Sequence, residues 1–541
     1  LTHSLQELWF LPLLLYAETH YRFRYFLSFL SKSEPELIAD APHRLEPNRR
    51  LPVLILVKDA HLFPCTLKQV SIEVRQDQRI IQQGDHLDQP IELDQKFFWH
   101  IIYLDLPSGC GWVQLDIRMT LDLNGKSKSY HNDNHRTSTH QPLRVFLAKD
   151  PLPRFPDLHL GDPHTHSNFT DDQVEFGVPL APACELARAL GLSYFCVTDH
   201  SYDLDDHVHS YLTNDPDLEK WQTFQSEVDR LGSELRDFAV VRGEEVSCRN
   251  SVGRNVHLLL FGQRKYIHGS GDSAERWLQT RSEYSVPEVL RLKSGGSAAY
   301  AAHAKEPVPF LQRLLLGRGI WTDQDLGEDG MTGLQLLNGM LDNGFREGYR
   351  SWVKQLLKGK RLLAIAGNDA HGNFNRARQI GIPFIAIREG VHQIFGRMRT
   401  GVFVNGTVSE ETVTKALQSG NSIVTDGPVV RASVRGSSGH GSGFGGSATA
   451  GGIDLDLEVH SSPEFGEITS IHIMIGKTGD TSERTAFRFE GKQGFISQRQ
   501  VSLREAAASY VRIEAWTSED NSFDRQPHFC FTNPIWVSEH M

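Results

Sequence analysis

Between Gly161 and His200 the chain spells a strand, a helix and a second strand, and this order constrains the fold more than any other stretch. The first segment reads Gly161-Asp162-Pro163-His164-Thr165-His166-Ser167. Ala181–Leu190 is helix-like, with Gly191 as its C-cap. Ser193–Thr198 is a short apolar run of the kind that forms a buried strand. His164 and His166, one residue apart, lie on the same side of an extended backbone, so both imidazoles can reach one metal ion. Asp199 and His200 sit just past the second strand. Open and closed parallel sheets both carry their chemistry at that end.

The same grammar continues from about residue 157 to 425, where strand-like and helix-like runs alternate, and it predicts parallel βα units. Leu218, Trp221, Phe224, Val228, Leu231 and Leu235 recur at three and four residues and make one apolar helix face. Strand-like runs follow at 238–241, 256–261, 297–302, 333–337 and 362–366. On either side the pattern is β alone. From 34 to 150, short strand-like runs separated by turn residues suggest a β-sandwich, and Asn124-Gly125 is a strong hairpin signal. Asn132–Gln141, with His135 and His140, reads as a polar solvated loop. Pro151–Pro156 reads as a linker. Residues 426–541 suggest a second sandwich. Gly441–Gly446 has the form GxGxxG, but a strand pattern follows it, so it is a flexible loop rather than a pyrophosphate site. Residues 1–33 form an aromatic, apolar N-terminal extension, strand or helix. Its run Leu8–Leu15 is interrupted by Pro12 and is short of the length needed to span a bilayer. A packed element is expected there rather than a membrane segment or signal peptide.

The 541 residues suggest three or four domains. A formal net charge of -11 argues against binding a nucleic-acid backbone, and no membrane partner is expected. The six cysteines include no CxxC pair. A reducing, cytoplasmic setting is the default reading.

Seven stations of His, Asp and Glu mark the α/β region: His164/His166, Asp171, His200, Glu245, His257, His303 and Asp369/His371. These are ligands for zinc, manganese or iron at neutral pH. They exceed the needs of one ion and suit two or three. A bridging carboxylate, for which Glu245 is the candidate, holds two ions about 3.5–4 Å apart. Taken singly, each station has a plainer alternative. A lone His257 or His303 is more often a satisfied core histidine, and Asp199 can simply hold a loop. Glu244 competes with Glu245, but neighbours in a strand face opposite ways.

The ordered motifs GDPHTHSNFTD (161–171), VTDHS (197–201), GEEVS (243–247), VHLLLFG (256–262), AAH (301–303) and GNDAH (367–371) resemble the PHP family, named for polymerase and histidinol phosphatase domains. The flanking β regions and the ending Thr532–Val537 are similar to its carbaryl-hydrolase-like branch. The resemblance implies a distorted (β/α)7 barrel over 157–425, here flanked by two β-sandwich domains. It implies that His164, His166, Glu245 and Asp369 hold one ion, and that Glu245, His257 and His303 hold a second. Asp171, His200 and His371 would hold a third. Two departures stand out. Pro163 occupies a strand position and removes a ladder N–H, and Lys305-Glu306 follows His303 where a proline commonly comes.

The expected chemistry is metal-assisted hydrolysis by a metal-bridged hydroxide. Asp369 or Asp199 would orient the water or move its proton, and Arg254 and Lys305 would bind an anionic group. The expected partner is a small molecule, anionic or ester-like. Phosphoester hydrolysis is the favoured reading. A carbamate, ester or amide hydrolase on the same centre is the alternative, with Phe169, Tyr202 and Phe374 as an apolar wall. The third reading is a non-catalytic metal-stabilised scaffold. It sits badly with so many ligands, since a structural site closes four and stops.

Overall fold

The computed structural model describes residues 34–107, 109, 111–135, 138–171, 177–208, 210–271, 280–381, 386–435, 441–449, 453–503 and 509–538. The N-terminal extension and its apolar run lie outside the described residues. The chain divides into two compact units.

The first unit comprises residues 1–151, 173–191 and 370–395. Glu36–Asp40, Leu51–Lys58 and Phe97–Leu104 form one antiparallel sheet. A larger sheet runs through Arg44–Leu45, Leu143–Leu147, Gly111–Leu123, Cys65–Gln76 and Arg79–Asp85. The alternation in Gly111–Leu123 puts Val113, Leu115, Ile117, Met119 and Leu121 into the core beside Val53, Ile55 and Val57. Asn124 (φ 53°) and Gly125 (φ 76°) make the hairpin with two left-handed residues, the preference of Asn-Gly. The helix Leu180–Leu190 ends at Gly191, φ 95°. A Cβ at Gly191 would stand 2.4 Å from Glu46 Oε1. The loop expected to be solvated is instead stitched to the sheet. Asn132 is fully buried. It accepts from Ile117 N at 3.0 Å and donates to His140 O at 3.0 Å. Phe374 stacks on Phe395, centroids 4.3 Å apart.

The second unit comprises residues 152–172, 192–369 and 396–541. Its elements are β1 (Leu158–His166), β2 (Tyr194–Val197), α1 (Glu219–Glu234), β3 (Ala239–Arg249), β4 (Asn255–Phe261), β5 (Ala298–Ala301), β6 (Gly333–Asn338), α2 (Asn343–Leu357), β7 (Leu363–Gly367), β8 (Arg399–Phe403), α3 (Glu410–Ser419), β9 (Ser422–Thr425), β10 (Ile468–Gly476), β11 (Arg484–Glu490), β12 (Tyr510–Thr517) and β13 (Phe529–Thr532). Shorter helices, among them Val286–Leu292 and Phe310–Leu315, join them. The strands pair along one path, β7-β6-β5-β4-β3-β2-β1-β8-β9-β13-β12-β10-β11.

That path corrects the expected (β/α)7 barrel flanked by separate sandwiches. Strands far outnumber helices, and the sheet is mixed. β1, β2 and β3 are parallel, as are β5, β6 and β7. β4 is antiparallel to both β3 and β5, and every pair from β1–β8 onward is antiparallel too. The βα repeat fails first between β3 and β4. A tight turn with Gly253 at φ 75° joins them directly, so no crossover helix intervenes and the chain must reverse. Where the sequence reading ended the barrel, β9 pairs with β13 and the sheet continues without a break. A further antiparallel sheet holds Val429–Arg435, Ile453–His460 and Ile496–Leu503. The rejected GxGxxG is followed by a strand, Ser447–Thr449.

Trp221, Phe224, Val228 and Leu231 form the buried stripe of α1. Asp342 caps α2, its carboxylate accepting from Phe345 N at 2.8 Å. Pro163 falls where the β1–β2 register shifts between Asp162 and Thr165, so its missing N–H is absorbed by the irregularity.

Candidate metal centre

In the second unit, residues far apart in sequence converge at one end of β1, β3, β4, β5 and β7. The period of two in β1 turns His164 and His166 the same way, and their Nε2 atoms lie 3.3 Å apart. On β3, Glu245 faces the two histidines, its Oε2 3.2 Å from His164 Nε2 and 3.3 Å from His166 Nε2. Glu244 faces the opposite way. It accepts from Ser201 Oγ at 2.8 Å and Ile267 N at 3.1 Å, and burial pushes its carboxyl up to about 8. Asp369 Oδ1 closes the group, 3.1 Å from His166 Nε2 and 3.3 Å from His164 Nε2. Beyond Glu245 a second group gathers. His257 Nδ1 stands 2.9 Å and His303 Nε2 3.2 Å from Oε1, and His200 Nδ1 3.2 Å from Oε2. Glu245 lies between the two groups and is fully buried.

Backbone placement is costly here. His303 has φ 30° and Asp369 φ 52°, values that non-glycine residues rarely adopt and that concentrate at functional sites. Gly367 lets the end of β7 approach His164 closely: a Cβ there would stand 2.7 Å from that of His164. Asp162 then ties the pieces together. It accepts from His164 N (3.2 Å), Asn368 N (3.2 Å), Asn368 Nδ2 (2.6 Å) and Gly396 N (2.9 Å). Burial raises its carboxyl to about 6 against the pull of those donors.

The donor set gives the test of whether metal fits. Gln335 Nε2 donates to Leu337 O and Asn338 Oδ1, which turns Gln335 Oε1 toward His164 Nδ1 at 2.8 Å. An amide oxygen only accepts, so Nδ1 carries the hydrogen and Nε2 of the neutral ring presents a lone pair. That lone pair points at two carboxylate oxygens and a second imidazole nitrogen. A proton can relieve this in part. Burial alone lowers the basicity of His164, but Glu245 and Asp369 lift its pKa to about 9. The two carboxylates are correspondingly held well below their ordinary range, against burial, by the imidazoles. Imidazole nitrogens and carboxylate oxygens aimed at a common point are what a divalent transition-metal ion needs. His164, His166, Glu245 and Asp369 form one such group, and His200, Glu245 and His257 another.

The other expected site residues have different surroundings. Asp199 uses both oxygens on the turn after β1, accepting from Ser167 N (2.6 Å), Ser167 Oγ (2.6 Å) and Thr170 N (3.2 Å). It positions that turn. Thr170 Oγ1 in turn stands 3.3 Å from His166 Nδ1. Asp171 is buried at the end of the same turn. His371 belongs to the first unit. Arg254 is exposed and donates to Arg313 O at 3.0 Å. Lys305 donates to Trp321 O at 2.5 Å and lies 3.7 Å from Asp323. Of the expected wall, Tyr202 stacks on His200 with centroids 4.6 Å apart, whereas Phe169 packs on Phe224. The sequence reading missed Gln335, Asn368 and Arg318. A glutamine inside the apolar run Gly333–Leu337 was a signal for the first. Arg318, whose Nη2 lies 3.4 Å from His257 Nε2, gave no local signal.

No family model matches the chain, and no curated protein matches it. Among solved structures, a Bacteroides uniformis β-glucuronidase aligns at 7% identity and TM-score 0.19, over 93% of this chain and 61% of that one. A Parabacteroides merdae β-glucuronidase aligns at 8% and 0.19, over 94% and 64%. A family 2 glycosyl hydrolase member from Bacteroides cellulosilyticus aligns at 8% and 0.18, over 88% and 76%. The chain thus spans less than two thirds of the first two, and likeness at these scores carries no argument about the centre. Among the described residues no helix is long and apolar enough to cross a membrane.

Proposed function

We propose that the cluster around Glu245 is a dinuclear metal centre and that the chain is a metal-dependent hydrolase, with phosphoesters as its substrates. One observation carries the reading: His164 Nε2, fixed as an acceptor by Gln335, faces Glu245, Asp369 and His166 at 3.2–3.3 Å. The ordered PHP-like motifs, which contain every residue of the cluster, support it. His164, His166, Glu245 and Asp369 would hold one ion, and His200, His257 and His303 the other, with Glu245 shared. Ions bound there supply a lowered pKa for water and a counter-charge for the phosphoryl oxygens.

The chain's own residues do the rest. Asp369 and His303 are the cluster side chains that meet solvent, at 15% and 19% exposure, so substrate enters on their side. Asp369 is the carboxylate on that side and would orient the incoming water by accepting its hydrogen bond. Asp199 and Thr170 hold the turn behind His166. Tyr202, flat against His200, offers one apolar surface, and it favours the second reading, an aryl carbamate or ester as substrate.

Elemental analysis of protein purified without chelator should give two transition-metal ions per chain. His166→Ala should lower metal content and activity together while leaving the fold intact. A wild-type chain that takes up no metal on titration rules the reading out. With manganese or zinc supplied, p-nitrophenyl phosphate esters should exceed aryl carbamates and acetates in kcat/KM. A tenfold preference the other way, about 1.4 kcal/mol, selects the second reading.

A further inference from the structure

The larger sheet of the first unit ends on an open edge. Arg79–Asp85 is the last strand on its path, paired on one side with Cys65–Gln76, and among the described residues no strand pairs with its other side. A strand so placed presents a row of N–H and C=O groups able to pair with another chain, and proteins commonly blunt it with Lys or Pro. Arg79–Asp85 holds neither. A bulge at Ile81 adds twist but no charge. Ile80 is 52% exposed and Ile81 40%. Other edges are better occupied. On Phe97–Leu104, Arg50 donates to the Tyr103 carbonyl at 3.0 Å, and the Tyr103 hydroxyl donates to Glu185 at 2.9 Å. On β11, Glu490 lies 2.9 Å from His472 Nε2 and 3.6 Å from Arg488 Nε.

Two details describe what pairs with the open edge. Arg79 and Asp85, at the two ends of the strand, are exposed, and neither is ion-paired among the described residues. Gly84 has no reason within the chain to be glycine. Its φ is not left-handed, and a Cβ there would meet only the His86 ring, at 3.6 Å. A glycine inside a strand then marks a place where another chain segment comes close.

We propose that this edge is the contact of a homodimer, in which two copies pair Arg79–Asp85 antiparallel about a two-fold axis at Gln82. In that register Arg79 of each copy faces Asp85 of the other, Ile80 lies opposite Gly84, and Ile81 lies opposite Gln83. Directly opposed residues in an antiparallel pair are close enough to interact, so both charges find a partner. The missing side chain of Gly84 leaves room for Ile80. Moving the axis by half a residue either way sets Arg79 against Gly84 or His86 and leaves Asp85 without a cation. The strand is thus complementary to itself in one register, as a two-fold contact requires, and the symmetry makes every contact twice.

A contact one strand wide is smaller than the interface of a tight dimer, so the test covers high concentrations. Sedimentation equilibrium of the full chain from about 1 to 100 µM should show the monomer passing into a species of twice its mass. Arg79→Asp and Asp85→Arg should each weaken the dimer about tenfold or more, because like charges then oppose each other at both ends. Mixed in equal amounts, these two variants should pair as tightly as wild type, and so should the double variant Arg79→Asp/Asp85→Arg. Gly84→Leu should weaken the dimer without lowering the urea midpoint, since the single chain has room for the side chain. A wild-type chain that is monomeric at about 100 µM overturns the proposal. So does a dimer that survives both charge variants, which would lie on another surface. Mixed variants that stay apart overturn the register, and oligomers that keep growing with concentration overturn the closed two-fold contact.

Discussion

Two buried polar clusters in the second unit differ in how their donors and acceptors match. Around Arg512, which is fully buried, every guanidinium nitrogen has an acceptor. Nε donates to Glu483 Oε1 at 2.7 Å, Nη1 to Glu514 Oε1 at 2.5 Å, and Nη2 to Glu483 Oε2 and the Tyr349 hydroxyl. The rings of Tyr349 and Trp352 lie 5.0 and 5.2 Å from its Cζ. Two carboxylates, one cation and two rings make a closed set that joins α2 to β12. Around Glu245 two carboxylates and the lone pair of His164 Nε2 face one another, a set with no fixed cation of its own. The first cluster is complete as folded, whereas the second, on the proposed reading, would take a cation from outside. A match of donors to acceptors separates a structural ion network from a site more clearly than burial or charge count does.

The largest expected effect comes from breaking the complete cluster. Arg512→Met leaves Glu483 and Glu514 buried without their cation and should cost about 3–5 kcal/mol in urea unfolding. Metal content per folded chain should not change. A variant as stable as the parent would remove the basis of the contrast.

A pH series sharpens it with a third cluster of the matched kind. His528 is 3% exposed and lies between Asp426 (3.0 Å) and Asp524 (3.2 Å). Burial pushes its pKa down, but the two carboxylates win and raise it to about 9. The folded state therefore holds this proton more tightly than the unfolded chain, whose histidine titrates near 6.5. Its contribution is full below about pH 6.5 and is lost as pH rises through about 9, amounting to about 3 kcal/mol. Urea midpoints at pH 6 and pH 9.5 should differ accordingly, and His528→Asn should flatten the dependence.

The smallest effect concerns the residue that sets His164 Nε2 as an acceptor. Gln335→Leu removes the oxygen that fixes the His164 tautomer and accepts from His303 N at 3.0 Å. Metal affinity should fall about 10–100-fold, with a stability loss smaller than that of Arg512→Met. Unchanged affinity would show that the tautomer is set elsewhere.

The sequence carried the cluster better than the fold. His164-x-His166 and the alternation of Glu244 and Glu245 are local signals, and a strand period of two is enough to say which side chains share a face. The reversal after Arg249 was hidden because Gly243-Glu244-Glu245 interrupts the apolar pattern in the middle of β3. One long strand therefore reads as a short strand plus a loop, and a hairpin as two separate βα units. Asp199 shows the limit at the level of a single residue. Its place beside His200 suggests chemistry, whereas one of its oxygens serves the backbone N–H groups of Ser167 and Thr170 and the other the Ser167 hydroxyl. Arg318 comes to His257 through a turn stitched to Asn255, a long-range contact that composition and spacing do not encode.

The Glu245 cluster draws one side chain or pair from each of β1, β3 and β4, from the turn after β2, and from the turns after β5 and β7. This spread sets the order of events when the chain is made. Synthesis delivers His164 and His166 first and Asp369 much later, and contacts between segments so distant in sequence form only after the intervening loops have closed. The β3–β4 hairpin can bring Glu245 to His257 early, as a local step. The four-residue group with Asp369 cannot exist until β7 has docked on β6. A nascent chain stalled before residue 363 thus exposes an imidazole pair without its last carboxylate, and completion of the centre reports that the whole sheet from β1 to β7 is in place.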